Sequence, residues 1–301
     1  MKVALLYEHP SWSERLIATL VDDGIDLLPI NSAELAFDTG AVGPPYDLLI
    51  NRVNIMPHAS RHPSLAFHTL HFLGWLEQTQ VRVLNGYRSH AIGASKAMQN
   101  GLFARLGLNH PAAIAIHHPE DTLEAAERIG FPLIIKPNLG GSGSGVARYD
   151  DLATLQRDVR LKAIDLGIDR SGIVQRYIES DGFVYRVELL GDALFYSIRQ
   201  PIMDNRFNYC AAEGCAQTPH QEGGIELHHP SPAVLDQVRA ILKAAQADFG
   251  GVEYFIEADS GAPCFYDFNP YSNFVAGGED LLGFSPEQRF AGFVRTHMET
   301  L

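Results

Sequence analysis

The first ninety residues alternate short apolar runs of strand length with amphipathic helical patterns. Strands interleaved with helices in this way predict βαβ units and therefore a parallel, doubly wound sheet. The first apolar run is followed by Glu8-His9-Pro10-Ser11, where a dinucleotide site of the usual kind would need Gly-x-Gly. We therefore expect a Rossmann-like opening unit that does not bind NAD in the usual way. The predicted strands are 2–7, 25–30, 47–51 and 81–84, and the predicted helices are 12–21 and 63–78.

Beyond residue 90 the pattern changes, and strands dominate toward the C-terminus. The periodicity predicts helices over 91–106, 121–129 and 151–165, with strands over 112–117, 131–136 and 145–149 between them. It then predicts strands over 173–178, 183–190 and 193–199, a helix over 231–249, a hairpin over 252–269 and a last helix from residue 285. We interpret this order as three units, 1–90, 91–172 and 173–301, of a mixed α/β protein.

The charge balance of the chain disfavours one class of partner. Among 301 residues, 36 are acidic and 23 are basic, which gives a formal net charge of −13 at pH 7. Proteins bind DNA and RNA by neutralising phosphates with Lys and Arg, so we expect no nucleic-acid partner. No apolar run approaches the roughly 18–20 residues that span a bilayer, so we expect no membrane partner. Three cysteines, an odd number, give no disulfide framework, and these features together predict a cytoplasmic protein.

A glycine-rich segment follows a predicted strand that ends in lysine. It runs from Lys136 to Val146 and reads Lys-Pro-Asn-Leu-Gly-Gly-Ser-Gly-Ser-Gly-Val. Glycine lets backbone N–H groups approach an anion closely, and successive exposed amides form a cradle for phosphate oxygens. The segment lacks the Gly-Lys-Ser/Thr ending of a P-loop and leads into another strand, so we expect a hairpin over phosphates, with a tight turn as the alternative. The residues predicted to contact phosphate are Lys136, Gly141, Ser142, Gly143, Ser144 and Gly145.

Two acidic residues and an asparagine fall on one face of the predicted C-terminal hairpin. Antiparallel pairing about the turn places Glu253 opposite Asp267, with Cβ atoms about 5 Å apart. Asn269 shares the face of Asp267 because strand side chains repeat every two residues. Like charges so close repel unless a hard cation lies between them, and oxygen ligands suit Mg²⁺ or Mn²⁺. A solvated hairpin face is the alternative, but Phe255 and Phe265, expected on the same face, favour burial.

A third segment, 173–179, is an apolar strand that becomes polar before a bend. An adenine ring can lie along such an edge and take backbone hydrogen bonds, while the Glu179 carboxylate accepts ribose hydroxyls. Without the two other sites, the segment indicates only the end of a strand. The residues assigned here to the nucleotide are Gln175, Tyr177, Ile178 and Glu179.

In order and content, these sites resemble the ATP-grasp superfamily. The chain is similar to the ribosomal-protein glutamate ligase (RimK-like) branch of its carboxylate–amine ligases, over nearly its whole length and most strongly between Ser95 and Asn269. The motifs that carry the resemblance are Ala-Ser-Lys-Ala-Met around Lys96, Ile-Lys-Pro around Lys136, the adenine hinge Val-Gln-Arg-Tyr-Ile at 174–178, and the metal set Glu253, Asp267 and Asn269.

The resemblance implies an ATP-grasp fold preceded by a Rossmann-like pre-ATP-grasp domain. It implies ATP as the nucleotide, with Lys96 and Lys136 on its phosphates, and Mg²⁺ (or Mn²⁺) at the hairpin. The segment 206–209 resembles the Arg-Ser-Asn-Leu stretch that faces the reacting phosphate in the family. The residues that the resemblance assigns to the reacting groups are Arg186, Arg199 and Arg206, and it assigns Asn208 to the nucleotide.

The chain departs from the family pattern where substrates bind. Val184 replaces the branch's aspartate two positions before Arg186, and Asp267 stands where glutamate is usual. The family's His-Arg-Gly-Gly sequence is absent after Tyr209. These departures leave the identity of the amine donor open.

The resemblance therefore implies an ADP-forming ligase that joins a small carboxylate to an amine through an acylphosphate. Amino acids or a peptide are the expected substrates, and a homodimer or homotetramer is the expected assembly. Two alternatives remain open: an ATP-grasp kinase that phosphorylates a hydroxyl, and a non-catalytic ATP-binding module. Release of phosphate together with ADP distinguishes a ligase from a kinase.

Overall fold

The computed structural model describes residues 1–55, 62, 64–202, 224–271, 273–275 and 277–299. Its N-terminal part contains strands β1 (Val3–Tyr7), β2 (Leu27–Asn31), β3 (Leu48–Arg52) and β4 (Arg82–Leu84), with helices α1 (Pro10–Asp22) and α2 (Leu65–Leu76). The four strands form a parallel sheet in the order β2-β1-β3-β4. The parallel sheet predicted for the first ninety residues is confirmed.

The second sheet is antiparallel. Its helices are α3 (Tyr87–Gly93), α4 (Lys96–Arg105), α5 (Asp121–Ile129) and α6 (Leu152–Arg160). Its strands are β5 (Ala113–Ile116), β6 (Leu133–Pro137), β7 (Ala147–Tyr149) and β8 (Gly172–Arg176), in the order β5-β8-β6-β7.

Two helix predictions in this region are wrong in their extent. The helix predicted over 91–106 is two helices, because Ser95 has an extended backbone and its hydroxyl accepts a hydrogen bond from the Met98 N–H as the N-cap of α4. The helix predicted over 151–165 ends at Arg160, just before Lys162, whose φ is +55°. In both cases a local backbone change, invisible in the apolar periodicity, ends the helix.

The third sheet is also antiparallel. It contains β9 (Phe183–Leu190), β10 (Ala193–Pro201), β11 (Glu226–Leu227), β12 (Phe249–Ile256) and β13 (Pro263–Asn269), in the order β11-β10-β9-β12-β13. Helices α7 (Pro232–Ala245), α8 (Gly278–Leu282) and α9 (Pro286–Glu299) accompany it. The helix predicted over 231–249 is wrong beyond Ala245, because Gln246 adopts a left-handed backbone and Phe249 already begins β12.

The third sheet packs on both of its faces. One face contributes residues such as Val187, Leu189 and Val252 to a core shared with α4 and α7. The opposite face contributes Tyr196 and Ile198 to a core shared with the first sheet, α1 and α9. Part of this second face is not covered by apolar side chains, and it forms one wall of a cleft. No helix in the described ranges is long and apolar enough to cross a bilayer.

Candidate active site

A cleft of about 350 Å³ lies between the second and third sheets. Its walls are the glycine-rich segment after β6, the end of β8, and the facing strands β9, β12 and β13. The structure brings most of the predicted site residues to this one cleft. Those that line it are Lys96, Lys136, Gly141, Ser142, Gly143, Ser144, Gln175, Tyr177, Ile178, Glu179, Arg186, Glu253, Asp267 and Asn269.

The predicted metal set converges at the base of the cleft. Glu253 of β12 pairs with Asp267 of β13, which is the predicted register. The Asn269 amide lies 3.4 Å from Glu253 Oε1 and 3.5 Å from Asp267 Oδ2. Two carboxylates and one amide therefore meet at one point, and both acids are largely buried there.

A β-bulge next to this pair changes which aromatic residues share the face. The pairing shifts between Glu253 and Tyr254, so that Tyr254 lies opposite Phe265 and Tyr266 becomes an extra residue on β13. Tyr266 lines the cleft and stacks on Phe255, with ring centres 4.2 Å apart. The prediction that Phe265 shares the face of Phe255 is wrong, since Phe265 is fully buried in the opposite core.

Cations and a phenol already satisfy the two acids. The Lys96 ammonium forms an ion pair with Asp267, and Tyr266 donates a hydrogen bond of 2.6 Å to Glu253 Oε2. Burial alone would raise the pKa of Asp267, but the neighbouring Lys96 brings it below the ordinary value. Burial raises the pKa of Glu253, and the Arg186 guanidinium only partly opposes this. An additional cation between the acids would favour the charged form of Glu253.

Lys136 ends β6 and points into the same cleft. The residue is 7% exposed, and its Nζ lies 5.9 Å from the centre of the Tyr266 ring. Burial, together with repulsion from Lys96, lowers the pKa of Lys136 to about 7. Two buried ammonium groups side by side indicate a site for an anion, because a phosphate there would relieve their repulsion.

The glycine-rich segment joins β6 to β7 and covers one side of the cleft. Gly143 and Gly145 have φ values of +71° and +72°, which favour glycine. A Cβ at Gly145 would lie 2.7 Å from Pro137 Cγ, so the turn packs too closely for any side chain there. Gly145 does not line the cleft, and its predicted phosphate contact is not supported. The close packing of Gly145 on Pro137 fixes the path of the backbone that carries residues 141–144 along the cleft.

The end of β8 forms the wall predicted for a nucleotide base. Gln175 is 3% exposed and lines the cleft, and its Oε1 has no hydrogen-bond partner among the described residues. A buried acceptor without a partner is costly, and a ligand amino group would satisfy it. The Tyr177 N–H donates to the Pro132 carbonyl, and the Arg148 guanidinium lies 4.0 Å from the centre of the Tyr177 ring. These contacts fix the segment that follows Gln175.

Of the two predicted arginines within the described residues, Arg186 lies beside the predicted metal set. Its Nη1 lies 3.4 Å from Glu253 Oε1. Arg199 does not lie beside this set, and its predicted role at the reacting groups stays a prediction. Arg199 pairs with Tyr185 across β9 and β10, so its side chain leaves the sheet on the face opposite Arg186. There it forms an exposed ion pair of 2.7 Å with Glu226. The predicted site residues Arg206 and Asn208 lie outside the described residues.

Tyr266 and Glu188, which contact Glu253 and Arg186, were not assigned from the sequence. Tyr266 reaches the cleft only because of the bulge, and no local pattern indicates where a bulge falls. Glu188 lies two residues after Arg186 on the same strand and forms an ion pair with it. The period-two rule that placed Asn269 beside Asp267 would have placed Glu188 beside Arg186 in the same way.

The fold and the site define an ATP-grasp protein, and solved structures show the same fold. A RimK domain ATP-grasp protein from Sphaerobacter thermophilus matches with a TM-score of 0.68 at 16% identity, over 98% of this chain and 99% of that one. The VanG D-Ala:D-Ser ligase from Enterococcus faecalis matches with a TM-score of 0.71 at 16% identity, over 97% and 98%. The ATP-grasp ligase PsnB, complexed with minimal precursor, Mg and ADP, matches with a TM-score of 0.66 at 19% identity, over 97% and 96%. At these identities the likeness establishes the fold alone.

Sequence comparison gives the family. Residues 96–270, more than half of the chain, match the family model of the carbamoyl-phosphate synthase L chain, ATP-binding domain, and the chain belongs to this family. The carbamoyl phosphate synthase large chain of Rubrobacter xylanophilus is 38% identical over 114 residues, which are 34% of this chain and 10% of that protein. A D-alanine–D-alanine ligase of Pseudarthrobacter chlorophenolicus is 26% identical over 174 residues, which are 52% of this chain and 45% of that protein.

The matched relatives are much longer than the matched region. The chain spans between 10% and 19% of the length of the carbamoyl phosphate synthase chains that it matches. Membership of the family therefore extends to its ATP-binding domain and not to the reactions of those longer proteins.

Proposed function

We propose that the protein is an ATP-dependent carboxylate–amine ligase that forms ADP and phosphate through an acylphosphate. The observation that carries this proposal is the convergence in one cleft of two buried lysines, a glycine-rich hairpin and a carboxylate–amide set. The lysines and the hairpin suit a triphosphate, and the acids suit the cation that accompanies it.

The residues present fit a magnesium or manganese ion. Glu253 and Asp267 offer carboxylate oxygens. Asn269 offers an amide oxygen when its side-chain amide is flipped, so that Oδ1 and not Nδ2 faces the two acids. No group of three or more His, Cys, Asp or Glu converges among the described residues. Proteins nevertheless usually bind magnesium through one or two carboxylates, and phosphate oxygens and water complete the coordination. When bound, the ion would neutralise charge on the phosphates.

In the first half-reaction, an oxygen of the substrate carboxylate attacks the γ-phosphorus of ATP. The bond from that phosphorus to the bridging oxygen breaks, and ADP leaves an acylphosphate behind. Phosphoryl transfer asks mainly for positioning and neutralisation of charge. Lys96 and Lys136 hold the phosphates, and Arg186 neutralises charge on the transferred group beside Glu253.

In the second half-reaction, an amine nitrogen attacks the acyl carbon, phosphate leaves, and the nitrogen gives its proton to phosphate or solvent. No protein nucleophile is needed in either step. Hydrolysis of the acylphosphate is the competing reaction, and the glycine-rich segment, which lines the cleft from Gly140 to Ser144, excludes water from it.

One end of the cleft is formed by the segments after β3 and β13, where Ile55 and Tyr271 pack together and Asn54 and Asn273 also line the cleft. We assign the end to the small carboxylate and the amine, with an amino acid or a short peptide as the substrate class. On this assignment, unit 1–90 helps to select the substrate, unit 91–172 covers the nucleotide, and unit 173–301 holds the metal.

The test is a screen of amino acids and short peptides with magnesium and ATP, read as phosphate release and as product mass. We expect ADP and phosphate in equal amounts, together with a condensed product. The Lys136→Ala variant should abolish this release. Its matched control is Lys243→Ala on α7, which removes an exposed lysine and should keep the wild-type rate. ADP without phosphate would identify a kinase, and nucleotide binding without turnover across the panel would identify a binding module; either result overturns the proposal.

A further inference from the structure

A second buried acid lies behind the metal ligands. Glu188 of β9 is 1% exposed, and its Oε1 accepts hydrogen bonds from Arg186 at 2.6 Å from Nε and 2.5 Å from Nη2. Its Oε2 has no hydrogen-bond partner among the described residues. A buried charge with an unsatisfied oxygen is expensive, so its presence indicates a function beyond packing.

The sheet makes room for this carboxylate at one position. Two cross-strand rows lie side by side on the cleft face. One row is Arg186, Glu253 and Asp267. The other row is Glu188, Gly251 and Asn269. Because Gly251 contributes no side chain, the carboxylate of Glu188 lies across it, and a Cβ at Gly251 would be 2.3 Å from Glu188 Oε1.

Arg186 is shared unequally between two acids. Its guanidinium makes two close contacts with Glu188 and one longer contact, 3.4 Å, with Glu253. A buried guanidinium needs a carboxylate partner, and among the described carboxylates Glu253 is the other one within 4 Å of Arg186. A close Arg186–Glu253 pair would occupy the oxygens that Glu253 offers to a cation and cancel its charge.

We propose that Glu188 is a positioning residue that holds Arg186 away from Glu253 and so keeps Glu253 available to the divalent cation. The proposal rests on the proposed function, because it assumes the cation site formed by Glu253, Asp267 and Asn269. In this role Glu188 acts through Arg186, and we do not assign it as a ligand of the cation.

The experiment measures Mn²⁺ affinity directly, by the loss of the free-ion electron paramagnetic resonance signal in the presence of AMP-PNP. No turnover is needed. The first variant is Glu188→Gln, which keeps the shape and removes the charge. We expect its dissociation constant for Mn²⁺ to rise roughly 10- to 100-fold, as for other groups that orient metal ligands. Binding of AMP-PNP measured without metal should stay within twofold of wild type, since Lys96, Lys136 and the glycine-rich segment are unchanged.

The second variant is Gly251→Ala, which keeps every charge. Its methyl group must displace the Glu188 carboxylate, so Mn²⁺ affinity should fall in the same direction. The matched control is Gly292→Ala on α9, where an added Cβ meets nothing within 4 Å. We expect wild-type Mn²⁺ affinity for this control. Gly251→Ala also tests the proposal should Glu188→Gln fail to fold.

Thermal unfolding separates a positioning role from a purely structural one. Variants that melt earlier but bind Mn²⁺ as tightly as wild type, or more tightly, would overturn the inference and leave the proposed function standing. A wild-type protein that binds no Mn²⁺ with AMP-PNP would overturn the metal site itself, and with it both proposals.

Discussion

The two faces of the third sheet come from the same strands and have opposite chemistry. On the cleft face, β9 and β12 place Arg186 in contact with both Glu188 and Glu253. On the other face, the residues between them, such as Val187 and Val252, are fully buried among apolar side chains. Charge is concentrated on one side, and apolar packing holds the strands from the other side.

The difference shows that function in this sheet depends on the face to which a residue belongs. Arg186 and Arg199 lie on neighbouring strands, and both are arginines that the family resemblance assigned to the reaction. Arg186 pairs with Ile198 in register, whereas Arg199 pairs with Tyr185, so the two guanidinium groups leave the sheet on opposite sides. The predictions below test this division between the faces.

The largest expected effect is on the cleft face. Asp267→Ala removes a proposed metal ligand and the partner of Lys96, so phosphate release should fall by roughly 10²- to 10³-fold or more. The melting curve should remain cooperative, because the core face is untouched. Wild-type turnover in a folded Asp267→Ala protein would refute the metal assignment.

A change on the core face should affect stability instead. Phe268 is fully buried in the core shared with α4 and α7. Phe268→Ala should lower the free energy of unfolding by about 3–5 kcal/mol, measured by denaturant titration. Turnover per folded molecule should change far less than in Asp267→Ala. Equal losses of turnover in the two variants would show that the faces are not separable.

The charge of Lys136 should link nucleotide binding to pH. Its pKa is lowered to about 7, so at pH 8 the lysine is mostly neutral. Bound phosphates raise its pKa again, so binding takes up as much as one proton, and affinity falls as pH rises above about 7. Calorimetry of AMP-PNP binding at pH 8, in buffers of different ionisation enthalpy, measures this uptake. Lys136→Met should abolish the uptake, and an unchanged value would assign the proton to another group.

The smallest expected effect belongs to the arginine on the far face. Arg199→Ala removes an exposed ion pair with Glu226 and should leave phosphate release within twofold of wild type. The comparison is Arg186→Ala, which leaves Glu188 and Glu253 without their cation and should reduce release severely. A tenfold loss in Arg199→Ala would mean that this residue reaches the substrate after all.

Much of the site could be predicted because its rules are local. Period-two alternation and the hairpin turn gave the pairing of Glu253 with Asp267 and the place of Asn269. The position of the glycine-rich segment after Lys136 predicted a hairpin between two strands, and the segment does join β6 to the antiparallel strand β7. The order of strands and helices predicted the parallel N-terminal sheet.

The errors fall where a single residue changes the backbone. The break at Ser95 divided one predicted helix in two, and the left-handed Gln246 ended another early. The bulge at Tyr266 moved Phe265 from the cleft face to the core. None of these positions disturbs the hydrophobic pattern, so periodicity alone does not reveal them.

The sequence by itself determined the kinds of groups available: lysines at the ends of particular elements, a glycine-rich hairpin, and acids at alternate positions of a strand pair. These follow from local propensity and from the two-residue repeat of a strand, which depend only on near neighbours. Only the tertiary structure decided that Lys96 meets Asp267, that Glu188 lies across Gly251, and that Arg199 turns away. Those outcomes depend on how separate elements pack and on the register between strands distant in sequence, which near neighbours do not specify.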